Sequence, residues 1–157
     1  MDSEDAARGA TTDIGSALYG LATRAVRRLP RDLSLTSGAT LATLDRTGPR
    51  RITDLAADAG VTQPAMTVLV RVLEESGLVE RGGDPSDRRV TLVFLTGAGA
   101  SYVRERRRAG VDAFAGLVDR LAADEVEALA AALPALRRLA ALDDRDRDGA
   151  GRDGAGR

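Results

Sequence analysis

Apolar residues recur at helical intervals over most of the chain, and they alternate only between about residues 78 and 95. From Asp13 to about Leu29, the positions Ile14, Leu18, Leu21, Ala22, Ala25, Val26 and Leu29 mark an amphipathic helix, closed before Pro30. Ser34 or Thr36 caps a second helix reaching about Arg46, with Ala39, Leu41, Ala42 and Leu44 inside, and Thr47-Gly48-Pro49 stops it. Thr53 is a good N-cap for a short helix carrying Leu55, Ala56 and Ala59, and Gly60 ends that run. A further helix starts at Thr62, with Pro64 in its first turn, where a missing N–H costs nothing. At about 100° per residue, Ala65, Val68, Leu69, Val72 and Leu73 fall on one side of it, and Gln63, Thr67, Val70, Arg71 and Glu74 on the other.

Gly77 stops that helix, and Leu78, Val79, Glu80 and Arg81 have strand character. Gly82-Gly83-Asp84-Pro85-Ser86-Asp87 supply turn chemistry, after which Val90, Leu92 and Phe94 alternate with Thr91, Val93 and Leu95. Two long helical patterns follow. One runs from Gly97 to about Leu121 with Tyr102, Val103, Val111, Phe114, Leu117 and Val118 on its stripe. The other runs from Ala122 to about Leu142 with Val126, Leu129, Leu133, Leu136 and Leu139, and Pro134 inside it predicts a kink or a break. The ends are small, polar and charged, so residues 1–12 are expected to be flexible and 143–157 disordered. Asp144-Arg145-Asp146-Arg147-Asp148-Gly149 imitates the opening of a calcium loop, but Ala155 stands where the closing Glu belongs, so no metal site is expected.

These elements define a fold that is mainly α with a small β-wing. N-terminal helices (13–46) and C-terminal helices (97–142) flank a winged helix-turn-helix lobe (47–96). Two short helices across a tight turn, the second showing Gln63, Thr67 and Arg71 outward, suit a DNA major groove. Gln can pair with adenine, Thr can meet a thymine methyl or a phosphate, and Arg can take guanine or a phosphate. Pro64 can touch a base or sugar. Thr53 and Thr62 are expected caps whose helix N-termini are open to phosphates, and Arg50 and Arg51 stand ready for the DNA backbone. At the hairpin tip, Arg88 and Arg89 reach far enough to enter a minor groove.

Residues 55–81, LAADAGVTQPAMTVLVRVLEESGLVER, followed by DPSDRRVTLVFLTGAG, resemble the winged helix-turn-helix of the multiple antibiotic resistance regulator (MarR) family. Asp87-Arg88-Arg89 is similar to that family's Asp-x-Arg wing signature, and Leu95-Thr96-Gly97-Ala98-Gly99 to its Leu-Thr-x-x-Gly. The resemblance implies a cytoplasmic, sequence-specific transcriptional regulator, not an enzyme, with double-stranded DNA and a second copy of itself as partners. It makes Arg50-Arg51-Ile52 a minimal third strand, and Arg89 the minor-groove reader ahead of Arg88, with Asp87 orienting its guanidinium. It implies a repressor on a pseudo-palindromic operator, and leaves room for a small-molecule effector between the DNA-binding lobe and the dimer helices, where Tyr19, Tyr102 and Phe114 are candidates. The terminal apolar stripes fit this, since a single domain of this size has no use for them without a mate.

Composition narrows the chemistry. With no Cys and no His, disulfides, thiol redox sensing, His general bases and the usual zinc sites are excluded, and with them the family's cysteine- and zinc-based sensing modes. Without Trp, the urate-responsive mode is not expected either. No cofactor is called for, and no stretch has the length and hydropathy of a membrane span or signal peptide. The net charge of −1 counts against nucleic-acid binding until it is divided: residues 14–142 carry +3, and all 23 basic residues are Arg. That is mild for a DNA binder, so a few placed arginines must act. The near-neutral charge also permits an alternative, a winged-helix module for protein interaction without an operator.

Overall fold

The structure, a computed structural model, describes residues 2–28, 32–84 and 90–153, with side chains over 8–26, 32–84 and 90–143. The order is α1 (Asp2–Arg28), α2 (Leu35–Thr47), β1 (Arg50–Arg51), α3 (Ile52–Asp58), α4 (Gln63–Glu75), β2 (Val79–Gly83), β3 (Thr91–Leu95), α5 (Gly97–Val118) and α6 (Ala123–Asp153). The strands form an antiparallel sheet ordered β1-β3-β2, with Arg50 opposite Val93 and Arg81 opposite the same residue on the other side.

One core holds the middle of the chain together. Leu41 and Leu44 of α2, Leu55 and Ala56 of α3, Met66, Val70 and Leu73 of α4, Val79 of β2 and Val93 of β3 are buried against one another. Each fully buried large side chain contributes about 1.5–3 kcal/mol of burial free energy. Leu33, Ile52, Leu69, Leu78, Leu95, Tyr102 and Val103 pack around them. This core lies wholly within the winged helix-turn-helix and its two supporting helices. The large apolar residues of α1 and α6 stay outside it.

The face that α4 buries is not the one its pattern suggested. Met66, Val70 and Leu73 are fully buried, whereas Val68 is 54% and Val72 45% exposed, and Ala65 is exposed as well. Seven of the nine residues from 65 to 73 are apolar, so periodicity alone allows more than one facing. The facing adopted lets the Leu78 N–H reach the Leu73 carbonyl at 2.9 Å and lets Glu74 pair with Arg81 of β2 at 3.3 Å. In α2, Ser37 and Thr40 are buried while Ala39 and Ala42 face out. The buried Thr40 hydroxyl donates to the Thr36 carbonyl at 2.9 Å, which satisfies it within its own helix.

Other boundaries also moved. Arg51, not Thr53, is the N-cap of α3, and the Thr53 hydroxyl instead donates to the Asp54 carboxylate at 3.4 Å. The first helix begins at Asp2 rather than near residue 13, and alanine, which recurs at 6, 7 and 10, is a strong helix former. Likewise α6 continues past Leu142 to Asp153 and passes through Pro134 without a break. The missing N–H frees one carbonyl, that of Ala130, on a stretch of helix whose described residues, 123–143, are almost all exposed to water.

The joint between α4, the sheet and α5 explains the Leu-Thr-x-x-Gly spacing. Gly77 takes φ 71°, turning the chain out of α4. The Thr96 hydroxyl donates to the Gly77 carbonyl at 2.7 Å and accepts from the Gly99 N–H at 3.0 Å, so one side chain ties off α4 and caps α5. The Thr96 N–H donates to the Leu78 carbonyl at 3.1 Å. A Cβ on Gly99 would run into that Leu78 carbonyl oxygen and lie 2.7 Å from Leu95 Cδ1. Gly99→Ala should therefore lower stability by about 1–3 kcal/mol through overpacking, and Thr96→Ala by about 1–2 kcal/mol through the lost cap. Urea denaturation measures both, and midpoints equal to wild type would contradict this account of the joint.

Candidate nucleic-acid interface

Three hydrogen bonds build the turn between α3 and α4: Ala59 N–H to Leu55, Gly60 N–H to Ala57 and Val61 N–H to Ala56, at 3.0–3.1 Å. Gly60 supplies the left-handed residue, at φ 62°. Thr62 then caps α4, accepting from the Ala65 N–H at 3.4 Å, with Pro64 in the first turn. With the core holding Met66, Val70 and Leu73, the outward side of α4 carries Gln63, Pro64, Ala65, Thr67, Val68, Arg71 and Val72.

The polar groups on this side are partly committed. The Thr67 hydroxyl donates to the Gln63 carbonyl at 2.9 Å. Arg71 makes a long, exposed pair with Glu75 at 3.7 Å, which is worth little and easily given up. Glu74, which the pattern placed among the outward residues, reaches back to Arg81, and Arg81 also donates to the Thr67 carbonyl at 3.5 Å. These contacts link the outer side of α4 to β2.

Of the candidate backbone contacts, Arg51 and Thr53 are exposed at the start of α3. Arg50 is drawn inward: its guanidinium pairs with Asp58 at 3.1 Å, linking β1 to the end of α3, and its buried Nε has no hydrogen-bond partner among the described residues. On the wing, the Asp84 N–H donates to the Val90 carbonyl at 2.9 Å and closes the hairpin. Asp87, Arg88 and Arg89 lie outside the described residues.

The three aromatic candidates for an effector site do not converge within the chain. Tyr19 is 73% exposed on α1 and Phe114 40% exposed on α5. Tyr102 alone lines an open cavity of about 780 Å³ between α2 and α5, together with Ala39, Ala42, Val103, Arg106 and Arg107. Arg106 organises its wall, donating to the Tyr102 hydroxyl at 2.8 Å and to Asp32 at 3.2 Å, with its guanidinium 5.8 Å from the Tyr102 ring centre. The Tyr102 hydroxyl also hydrogen-bonds Asp32, which lowers the Asp32 pKa, assisted by the Arg106 charge. Tyr102 itself is raised, mainly by burial and then by the bond to Asp32. The sequence reading missed Arg106 because nothing local distinguishes it within Arg104–Arg108. Ala39 and Ala42 do carry a signal, since two small residues three apart leave space beside a helix.

Two helices across a tight turn, a braced second helix and a three-stranded wing define a winged helix-turn-helix, the fold of many DNA-binding transcription regulators. Residues 33–91 match the model of the MarR family. No curated protein matches the chain. Among solved structures it is similar to the transcriptional regulator Tm0710 from Thermotoga maritima (21% identity, covering 86% of this chain and 96% of that one, TM-score 0.70). It is also similar to MepR, a transcription regulator of the Staphylococcus aureus multidrug efflux pump MepA (24%, 84% and 97%, TM-score 0.65), and to RV1404 from Mycobacterium tuberculosis (25%, 85% and 92%, TM-score 0.64). No described helix is long and apolar enough to cross a membrane, and no described cluster of three or more acids could hold a metal ion.

The Tyr102 environment can be checked by titration. In a Tyr19→Phe background the remaining phenol should ionise above the ordinary 10.0. Because its folded pKa is raised, the protonated phenol supports the fold fully below pH 10 and loses that support as pH rises through the folded value. Ultraviolet absorbance against pH measures it, and ionisation at or below 10.0 would show that Tyr102 is not shielded by α2.

Proposed function

We propose that this protein is a homodimeric repressor that binds a pseudo-palindromic operator through α4 in the major groove and the wing in the adjacent minor groove. The observation that carries this reading is the division of α4 into a fully buried Met66–Val70–Leu73 face and an exposed face braced by Arg81 and Glu74. A helix held this rigidly, with its outer side left uncovered, is suited to present side chains to base edges. Gln63, Thr67 and Arg71, with Thr62 and Pro64 at the helix start, form the recognition set. Arg51 and Thr53 reach phosphates. Arg50 contributes mainly by fixing α3 through Asp58. Asp87, Arg88 and Arg89 serve the minor groove, Arg89 first.

Dimerisation is supported by apolar residues that the single chain leaves uncovered: Ile14 and Leu21 on α1, Val111 on α5, and Leu133, Leu136 and Leu139 on α6. Joining two such faces would set the α4 helices about 34 Å apart, one DNA turn. The cavity beside Tyr102 lies between α2, which supports the helix-turn-helix, and α5, which leads to the dimer helices. A small molecule bound there releases DNA to the extent that it prefers the spacing that does not fit the operator.

Fluorescence anisotropy with a duplex from the protein's own upstream region tests the reading. Sub-micromolar binding that weakens steeply with salt is expected, and Arg89→Ala should cost about 1–3 kcal/mol. Equal, feeble binding to every duplex would sink it. Light scattering after gel filtration should give twice the 16.4 kDa chain mass, and Leu133→Asp with Leu136→Asp should give a monomer. A monomeric wild type would contradict the dimer.

A further inference from the structure

The outward face of α4 is more apolar than a solvent-facing helix surface. Val68 lies about 200° around the helix from Met66, at the point farthest from the core, and it is 54% exposed. Val72 lies one turn further along, 45% exposed, and Ala65 one turn before. Pro64 adjoins them. Thr67 adds to the strip, because its hydroxyl hydrogen is donated to the Gln63 carbonyl, leaving a methyl group and an acceptor oxygen for any partner. Ordinary exposed helix positions favour Glu, Gln, Lys or Arg, and a β-branched valine there lowers helix propensity while leaving apolar surface in water. The strip is continuous with the proposed DNA-reading residues, Gln63 at its N-terminal end and Arg71 beside Val72.

We infer that Val68, flanked by Ala65 and Val72, reads thymine by packing on its C5-methyl group in the major groove, so that apolar contact rather than hydrogen bonding sets specificity at the centre of each half-site. This rests on the DNA-binding reading above and adds a specificity-determining residue to it. The chemistry fits the groove. The thymine methyl is the one apolar group a base pair presents there, it distinguishes T·A from A·T, and small side chains such as Ala, Thr and Val match its size. The side chains at the middle of the strip have no hydrogen-bond donor left to offer. The polar readers Gln63 and Arg71 stand at its edges, where they suit adenine and guanine.

The experiment begins with selection of binding duplexes from a random pool by the full-length wild-type protein. Each thymine of an enriched duplex is then replaced by deoxyuridine, which removes the methyl and nothing else. At one thymine per half-site, binding should weaken about four-fold, the factor expected from losing one methyl-sized apolar contact, while Val68→Ser binds the thymine and uracil duplexes equally. Val68 is outside the core, so this variant should keep the wild-type melting temperature, and Val72→Ser provides a second probe of the same strip. Wild-type binding that ignores uracil at every thymine overturns the inference while leaving the DNA-binding reading intact, as does a Val68→Ser protein that still discriminates. Failure to enrich any duplex removes both.

Discussion

Thr96 and Gly99 hold together what the rest of the structure needs held. The Thr96 hydroxyl fastens the end of α4 to the start of α5, and the missing side chain at Gly99 lets the Leu78 carbonyl come close enough for that to happen. Through this joint the orientation of α4 is passed to a 22-residue helix that leaves the lobe. A recognition helix set by packing alone could tolerate small rotations. In this chain α4 is also linked at its C-terminal end to α5 through Thr96, and along its side to β2 through Glu74 and Arg81.

The consequence is a separation of roles along the chain. Among the described residues, every fully buried large side chain lies between Leu41 and Val93, in the core of the lobe and its supporting helix α2. The helices on either side bury little within one chain and keep leucines and valines at its surface, as surfaces awaiting a mate do. The proposed dimer would convert that exposed area into a frame, and Tyr102, Arg106 and Asp32 stand where frame and lobe meet. The cavity there has α2 and α5 as its two walls.

Much of this was legible in the sequence, for identifiable reasons. Gly60, Gly77 and Pro64 act locally through backbone geometry, so the turn and the helix start were readable from them alone. The minimal strand at Arg50–Arg51 and the Thr62 and Ser34 caps also appear as expected. The facing of α4 was not readable, because apolar residues surround most of that helix and only tertiary partners such as Thr40, Leu78 and Arg81 choose among them. The same applies to Arg50, whose pairing with Asp58 depends on the approach of β1 to α3, and to Arg106, whose partners lie on another element. The helix ends were misjudged because small and charged residues suggest disorder by composition yet are compatible with helix. The outward face of α4 is affected most, since the sequence pattern puts Val68 and Val72 on the same side as Leu69 and Leu73 while the structure exposes them.

The proposed interface requires α4 to turn Val68 toward DNA while Val70 stays in the core. Methyl-labelled valine spectra, recorded with and without a duplex selected by the protein, test this most directly. Val68 and Val72 signals should shift and show proximity to thymine methyl protons, while Val70 stays in place. A moved Val70 beside an unchanged Val68 would contradict the account.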